Sequence, residues 1–500
     1  MARDVLHLVR QGPLEAYVKP LAGSVDLQGF VHLVNRQPPC VWLDSARPHP
    51  VTGRWSLLGW DPWLALTARG ATVTLRTSAS RRRWRANPCD ALRQVLRRYS
   101  GPPTNMFGGG TGRRWGGDAA RAFGLLGYLS YDMNRWMERL PPPRRTPRAV
   151  PEMAWQGMRM TVLVDHLQDR SWMVSLVDPH QPRERARRAA LARLDRWAGS
   201  LRELAPYAPE LRDEDLSLAA TSSQAQFERM VHRALASIRA GEIFQANVAQ
   251  QFTTRWRGSN LSLYLALRRV NPSPFACFLS LGALTVVSCS PERLVRVEDG
   301  WVEARPIAGT RPRGRTPQED AIHSFELLMS EKERAEHIML VDLARNDLGR
   351  VCRAGSIGVD ELMTLEEYSH VIHIVSNVSG QLREAADPVA VIRAVFPGGT
   401  VTGCPKIRCM EILRELEPVA RGLYTGSIGR LGFDGAMDLN IAIRTMVVQG
   451  EHLSYHVGAG IVADSKPDRE YHETLAKAEA LVAALRSVSL PERSRHAVRR

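Results

Sequence analysis

The sequence predicts an α+β protein made of layered, largely antiparallel sheets with flanking helices. Strand-like runs recur along the 500-residue chain, which is long enough to bury a large core. Asp299-Gly300 and Asp434-Gly435 supply hairpin turns between such runs, which marks the pairing as antiparallel. The segment SQAQFERMVHRALASIRAGEI places its apolar residues at helical spacing, so helices flank the sheets.

From about residue 10 to 190, VWLDSA, WSLLGWDP, ATVTLRT and MRMTVLVDH read as strands between turn residues. The Gly/Pro-rich run SGPPTNMFGGGTGRRWGG predicts a surface loop, and LPPPRRTPRAVP a connector. RERARRAALARLDRWAGSLREL reads as a basic helix, and APYAPELRDEDLSLAATSS as a linker. The region 223–485 is more regular. After its opening helix come the strands LTVVSCS, RLVRVEDGWVEARPI, LGFDGAMDLNIAIRTMVV and HLSYHVGAGIV. The expected organisation is a smaller N-terminal region, 10–190, and a larger catalytic region, 223–485.

The apolar share of 44% and charged share of 24% are those of an ordinary globular protein. No apolar run is long enough to span a bilayer, and MARDVLHLVRQGP lacks the core of a signal peptide. A membrane is therefore not expected, and a cytoplasmic location is. The seven cysteines are scattered without a CxxC pair, which points to reduced thiols. The net charge of +15 is almost all arginine, since only Lys19, Lys332, Lys406, Lys466 and Lys477 are lysines. No basic stretch is interleaved with aromatics, so nucleic acid is not an expected partner. A positive surface still attracts a dianionic metabolite.

Two acidic couples carry the chemistry. Glu333 and Glu336 lie in EKERAEHIMLVDLARND, and Glu470 and Glu473 in GAGIVADSKPDREYHETLAKA. Spacing of three puts each couple on one helix face. Two such faces brought together offer oxygen ligands to a hard divalent cation, with Mg²⁺ the expected ion, that also binds a substrate anion. Simpler readings coexist. Ser330-x-x-Glu333 is a capping-box pattern, and Glu470 sits in a first helical turn after Pro467. PIAGTRPRG, FPGGTVTGCPK and NIAIRT supply further groups for an anion.

The strings DLARNDLGR, PIAGTRPRG, GCPKIRCMEIL, NIAIRT and GAGIVADS, in this order, resemble the chorismate-utilising enzymes. These include anthranilate synthase component I, aminodeoxychorismate synthase component I, and isochorismate and salicylate synthases. LDSA, GRWSLLGWDP and GYLSYDMNRWMERLP extend the resemblance to most of the chain. It implies the anthranilate synthase component I-like fold and chorismate as substrate. Mg²⁺ is then assigned to Glu336 and Glu473, with Glu333 and Glu470 beside them. A metal on the ring carboxylate withdraws charge as the C4 hydroxyl leaves.

Glu292 in CSPERL matches the family's general acid, a role that needs a carboxyl kept protonated near neutral pH. Arg444 and Tyr424 match the grip on the pyruvyl carboxylate, which a guanidinium fork meets bidentately. Gly458 and Gly460 would admit backbone amides to a carboxylate. Thr400 and His373 match further active-site positions, although a histidine on an apolar strand also reads as structural. Lys477 shares the face of Glu473, where an i,i+4 ion pair is an equally simple reading.

Water-using members carry a lysine base where this chain has Gln245, which points to ammonia as the nucleophile. No Gly-x-Cys-x-Gly turn is present, so a glutamine amidotransferase partner subunit is implied. Asn247 with Gln250, YDMNRWMERLP, FPGGTVTGCPK and YTGSIG resemble aminodeoxychorismate synthases. That activity is the expected one: chorismate to 4-amino-4-deoxychorismate, toward para-aminobenzoate and folate. Ala308 in PIAGT is instead the form usual in anthranilate synthases, the alternative reading. Many aminodeoxychorismate synthases have a nucleophilic lysine there, and alanine cannot replace it. Leu43-Asp44-Ser45 lies where anthranilate synthases close over tryptophan, a candidate ligand of the N-terminal region. A plain sheet edge is its simpler reading.

Overall fold

The computed structural model describes residues 6–21, 25–101, 103–105, 118–144, 148–202, 204, 207–211, 216–314, 316–367 and 371–489. Among these, twenty-four strands join one continuous, antiparallel network, with helices packed on its faces. This is the layered α+β architecture that hairpin chemistry predicts. Asp299 and Gly300 both adopt positive φ, 50° and 78°, in the tight turn that pairs Glu298 with Trp301. Gly435 has φ 89°, and its turn brings Leu431 opposite Met437.

The two sequence regions share strands. Cys40–Asp44 pairs on one side with Trp55–Arg69 and on the other with Phe275–Ser280. Gly124–Leu129 lies between Met153–Asp165 and Ser427–Gly432. Leu43-Asp44 is thus interior to the sheet and not an edge, contrary to the simpler expectation. A further difference concerns the Gly/Pro-rich run. Pro103–Asn105 forms a short strand against His7–Gln11, while 106–117 lie outside the described residues. Residues 145–147 of the Pro-rich connector also lie outside them.

The core follows the strand pattern. Met153–Asp165 is buried along nearly its full length, as expected of a strand covered on both faces. Trp42, Trp63 and Trp155 are among its largest buried side chains. Helix Gln224–Arg239 starts in a complete capping box. Ser223 accepts from the Gln226 amide, and the Gln226 side chain accepts from Ser223 N.

Helix Glu331–Gly349 behaves differently. Ser330 Oγ accepts from Glu333 N at 3.3 Å, but Ser330 N is already donated to the Glu326 carbonyl. With that donor taken, the Glu333 carboxylate turns instead to Arg311, whose Nη1 lies 3.2 Å away. Only half of the predicted capping box forms, and Glu333 is left facing a cavity.

Candidate active site

A cavity of about 960 Å³ opens between helices Glu331–Gly349 and Pro467–Val488. Successive helical turns present Glu333 and Glu336 from the first and Glu470, Glu473 and Lys477 from the second. The residues that share a face in sequence therefore share a cavity in space. The opposite wall comes from strand Gln245–Arg255, the turn around Asn271, Ile307–Gly309, His373, Thr400 and Arg444.

The acidic wall is crowded. Gln245 Nε2 donates to Glu336 Oε1 at 2.6 Å. Burial raises the Glu336 carboxyl above its ordinary value, and the charge of Glu333 adds to this, while Gln245 opposes it. Burial likewise raises Glu470, opposed by a hydrogen bond from Ser465 and reinforced by Glu473. Glu470 Oε2 is buried without a hydrogen-bond partner. Lys477 Nζ lies 2.7 Å from Glu473 Oε1 and donates to the Gly458 carbonyl at 3.1 Å.

Four carboxylates and a buried, unsatisfied oxygen are the donor type a hard cation takes. The side chains are not gathered around one point: among the described residues no three acidic, histidine or cysteine groups form a ready-made ion cage. Gln245 and Lys477 hold Glu336 and Glu473 in other contacts.

The glycines of strand His452–Ile461 act through their missing side chains. A Cβ on Gly458 would lie 2.5 Å from Asn247 Oδ1 and 2.8 Å from Tyr424 Oη. A Cβ on Gly460 would lie 2.9 Å from Gln245 Nε2. Gly460 thus leaves room for the contact between Gln245 and Glu336. Tyr424 is buried behind Gly458, stacked on His456 with ring centroids 5.3 Å apart, and does not itself line the cavity.

Arg444 does line it. Its φ of +49° is left-handed, a conformation that costs a non-glycine residue roughly 1–3 kcal/mol and clusters at functional sites. Its Nη1 donates to Asn271 Oδ1 at 2.9 Å. His373 Nδ1 sits 3.3 Å from the Gly309 carbonyl. Burial, with the nearby Arg444 charge, pushes its imidazole down to about 4, so it is neutral at physiological pH.

Glu292 follows strand Leu284–Ser290. Its carboxyl accepts from Thr400 Oγ1 at 2.7 Å, and Thr400 and Pro291 line the large cavity. Burial pushes the carboxyl up to about 7, although the Thr400 hydrogen bond opposes the shift. A general acid working near neutral pH needs this property.

Sequence reasoning missed Asn271, Arg311 and Lys332 as cavity residues. Asn271 lies in none of the motifs singled out above, and Arg311 is one of many arginines. The rarity of lysine was the one available signal for Lys332. Leu43-Asp44-Ser45 borders a separate cavity of about 140 Å³ with Pro274, Phe275 and Met437. There Asp44 is tied to Tyr264 and Arg268 at 2.8 and 2.6 Å.

The chain belongs to the chorismate binding enzymes, whose family model matches residues 38–483. It is 40% identical over 489 residues to an anthranilate synthase component 1 from Synechocystis, covering 93% of this chain and 94% of that one. It is 37% identical to an aminodeoxychorismate synthase component 1 from Bacillus subtilis, covering 92% and 94%. The crystal structure of anthranilate synthase component I from Streptococcus pneumoniae superposes with a TM-score of 0.74 at 30% identity, covering 87% and 93%. The protein is therefore an enzyme that acts on chorismate. Among the described residues no helix is long and apolar enough to cross a membrane.

Proposed function

We propose that this chain aminates chorismate to 4-amino-4-deoxychorismate, toward para-aminobenzoate and folate, using ammonia from a glutamine amidotransferase partner. The observation that carries amination over hydration is the neutral amide of Gln245 on Glu336. An amide cannot deprotonate water, whereas ammonia needs no base to attack. Asn247, FPGGTVTGCPK and YTGSIG favour the 4-amino product, and Asn247 and Thr400 line the cavity.

Glu336 and Glu473, flanked by Glu333 and Glu470, would hold Mg²⁺, and the donor set fits it. When bound, the ion supplies Lewis-acid polarisation of the ring carboxylate. Arg444 grips the pyruvyl carboxylate through its planar fork, with Asn271 fixing its angle. His373, kept neutral, packs the same wall. Glu292 protonates the C4 hydroxyl, so that the C–O bond breaks and water leaves. Lys477 holds Glu473 and the Gly458 carbonyl in register. Tyr424 backs the wall, and Gly458 and Gly460 admit the side chains around them.

Ala308 lines the cavity and offers no nucleophile, so ammonia must add without a covalent lysine intermediate. The same alanine supports a second reading, anthranilate synthesis, the activity named for the Synechocystis relative. Incubation with chorismate, Mg²⁺ and ammonium salts, followed by aminodeoxychorismate lyase, separates the two. The expected product is 4-aminobenzoate, and anthranilate alone would overturn the regiochemistry. The small cavity beside Ser45 is offered as a tryptophan site, testable by calorimetric titration with tryptophan.

A further inference from the structure

Glu292 and Thr400 border a second space of about 40 Å³, and Thr400 also lines the large cavity. The smaller space is also lined by Arg305 and Asp347 among apolar Leu343 and Ala344. A water needs roughly 10–15 Å³ of such space and two to four polar partners. The space therefore takes on the order of two waters. Arg305 is 5% exposed, and its Nη1 is buried without a hydrogen-bond partner. Its other nitrogens serve Glu361 and Glu366. An N–H with no protein acceptor facing a polar space is an anchor for water.

In the same lining, Asp347 Oδ2 accepts from Lys406 Nζ at 2.6 Å. Their side chains keep 12% and 11% of their surface in contact with solvent. Asp347 in DLARND and Lys406 in GCPK stand in motifs that the substrate cavity leaves unused.

Amination makes a proton supply necessary. Glu292 gives its proton to the departing C4 oxygen, which leaves as water. Ammonia arrives neutral, and the product amine keeps all three of its hydrogens as an ammonium group. The nucleophile returns no proton to Glu292, so one proton must enter from solvent in each turnover. A water nucleophile would have given one up.

We propose that the small cavity holds a water relay that reprotonates Glu292 from Asp347, with solvent and the Lys406 ammonium reloading Asp347. This rests on Glu292 being the acid. In each cycle a cavity water donates one proton to the Glu292 carboxylate and takes one from the Asp347 carboxyl. Burial raises the Asp347 carboxyl above its ordinary value, against the pull of Lys406.

The test uses the full chain with chorismate, Mg²⁺ and ammonium salts in H₂O and D₂O. Asp347→Asn removes the relay acid, and Ala344→Val fills the space without touching a charged group. Both should lower kcat by about tenfold, the low side of what proton transfer contributes. Both should also raise the solvent deuterium isotope effect and leave KM for chorismate within about twofold. Asp347→Glu should restore most of the rate. Wild-type kcat and isotope effect in Ala344→Val and Asp347→Asn overturn the relay, as does a loss that follows thermal destabilisation with an unchanged isotope effect. Glu292→Gln separates the two levels. An inactive Glu292→Gln beside a wild-type-like Ala344→Val sinks the relay alone, whereas an active Glu292→Gln removes the acid itself.

Discussion

Gln245 reaches across from its strand to Glu336 on the opposing helix, a contact of 2.6 Å that ties the strand to the acidic wall. Gln245→Lys should place an amine there. The variant is expected to form a hydroxylated, isochorismate-type product and to lose ammonia-dependent turnover, read by chromatography of the products. A product mixture identical to wild type would show that position 245 does not select the nucleophile.

As the proposed acid, Glu292 must carry its proton to act, and burial pushes its carboxyl up to about 7. At a fixed concentration of free ammonia, kcat/KM should be flat below that pH and fall above it. Thr400→Val removes a hydrogen bond that favours the carboxylate, so the fall should move to higher pH. A shift to lower pH would contradict the arrangement.

Gly460→Ala should damage the acidic wall without touching a charge. Its new Cβ would meet Gln245 Nε2 at 2.9 Å, and overpacking of this kind costs about 1–3 kcal/mol. Weaker Mg²⁺ dependence of turnover, with KM for chorismate raised, is the expected signature. Unchanged kinetics would mean that the Gln245 contact is dispensable.

Arg421 and Glu417 form a buried ion pair beneath the site. Arg421 also donates to the Val401 and Asn247 carbonyls. Arg421→Met should cost about 3–5 kcal/mol by leaving Glu417 buried without its counter-charge. Replacing both partners by apolar residues should cost less, as urea unfolding would report.

Buried His456 is pushed down to about 3 by desolvation. Its unfolded value is the ordinary one, so the unfolded state binds the extra proton, and folding stability falls as pH drops below about 6.5. His456→Phe, which keeps a ring beside Tyr424, should flatten the fall of Tm between pH 7 and 5. An equally steep profile would assign the acid sensitivity elsewhere, with His337 and His373 as candidates.

Much of the site was legible because helical spacing is local information. Glu333 with Glu336, and Glu470 with Glu473, were bound to share faces once their helices formed. The hairpins at Asp299 and Asp434 were equally local. Competition for a donor was not legible: Ser330 N is spent on Glu326, which sends Glu333 to Arg311 instead of back to its own cap. Nor was depth. Tyr424 and Arg444 look alike as motif residues, yet one backs the wall and the other forms it. The interior position of Leu43-Asp44 depends on a partner more than two hundred residues away, which no window on the sequence contains.

The Gly124–Leu129 strand receives one neighbour early and the other, Ser427–Gly432, roughly 300 residues later. During synthesis on the ribosome its outer row of amides and carbonyls stays open until nearly the whole polypeptide has emerged. Such an unfilled margin invites pairing with other nascent chains. Refolding yield should therefore depend on dilution, and fragments ending before residue 427 should aggregate.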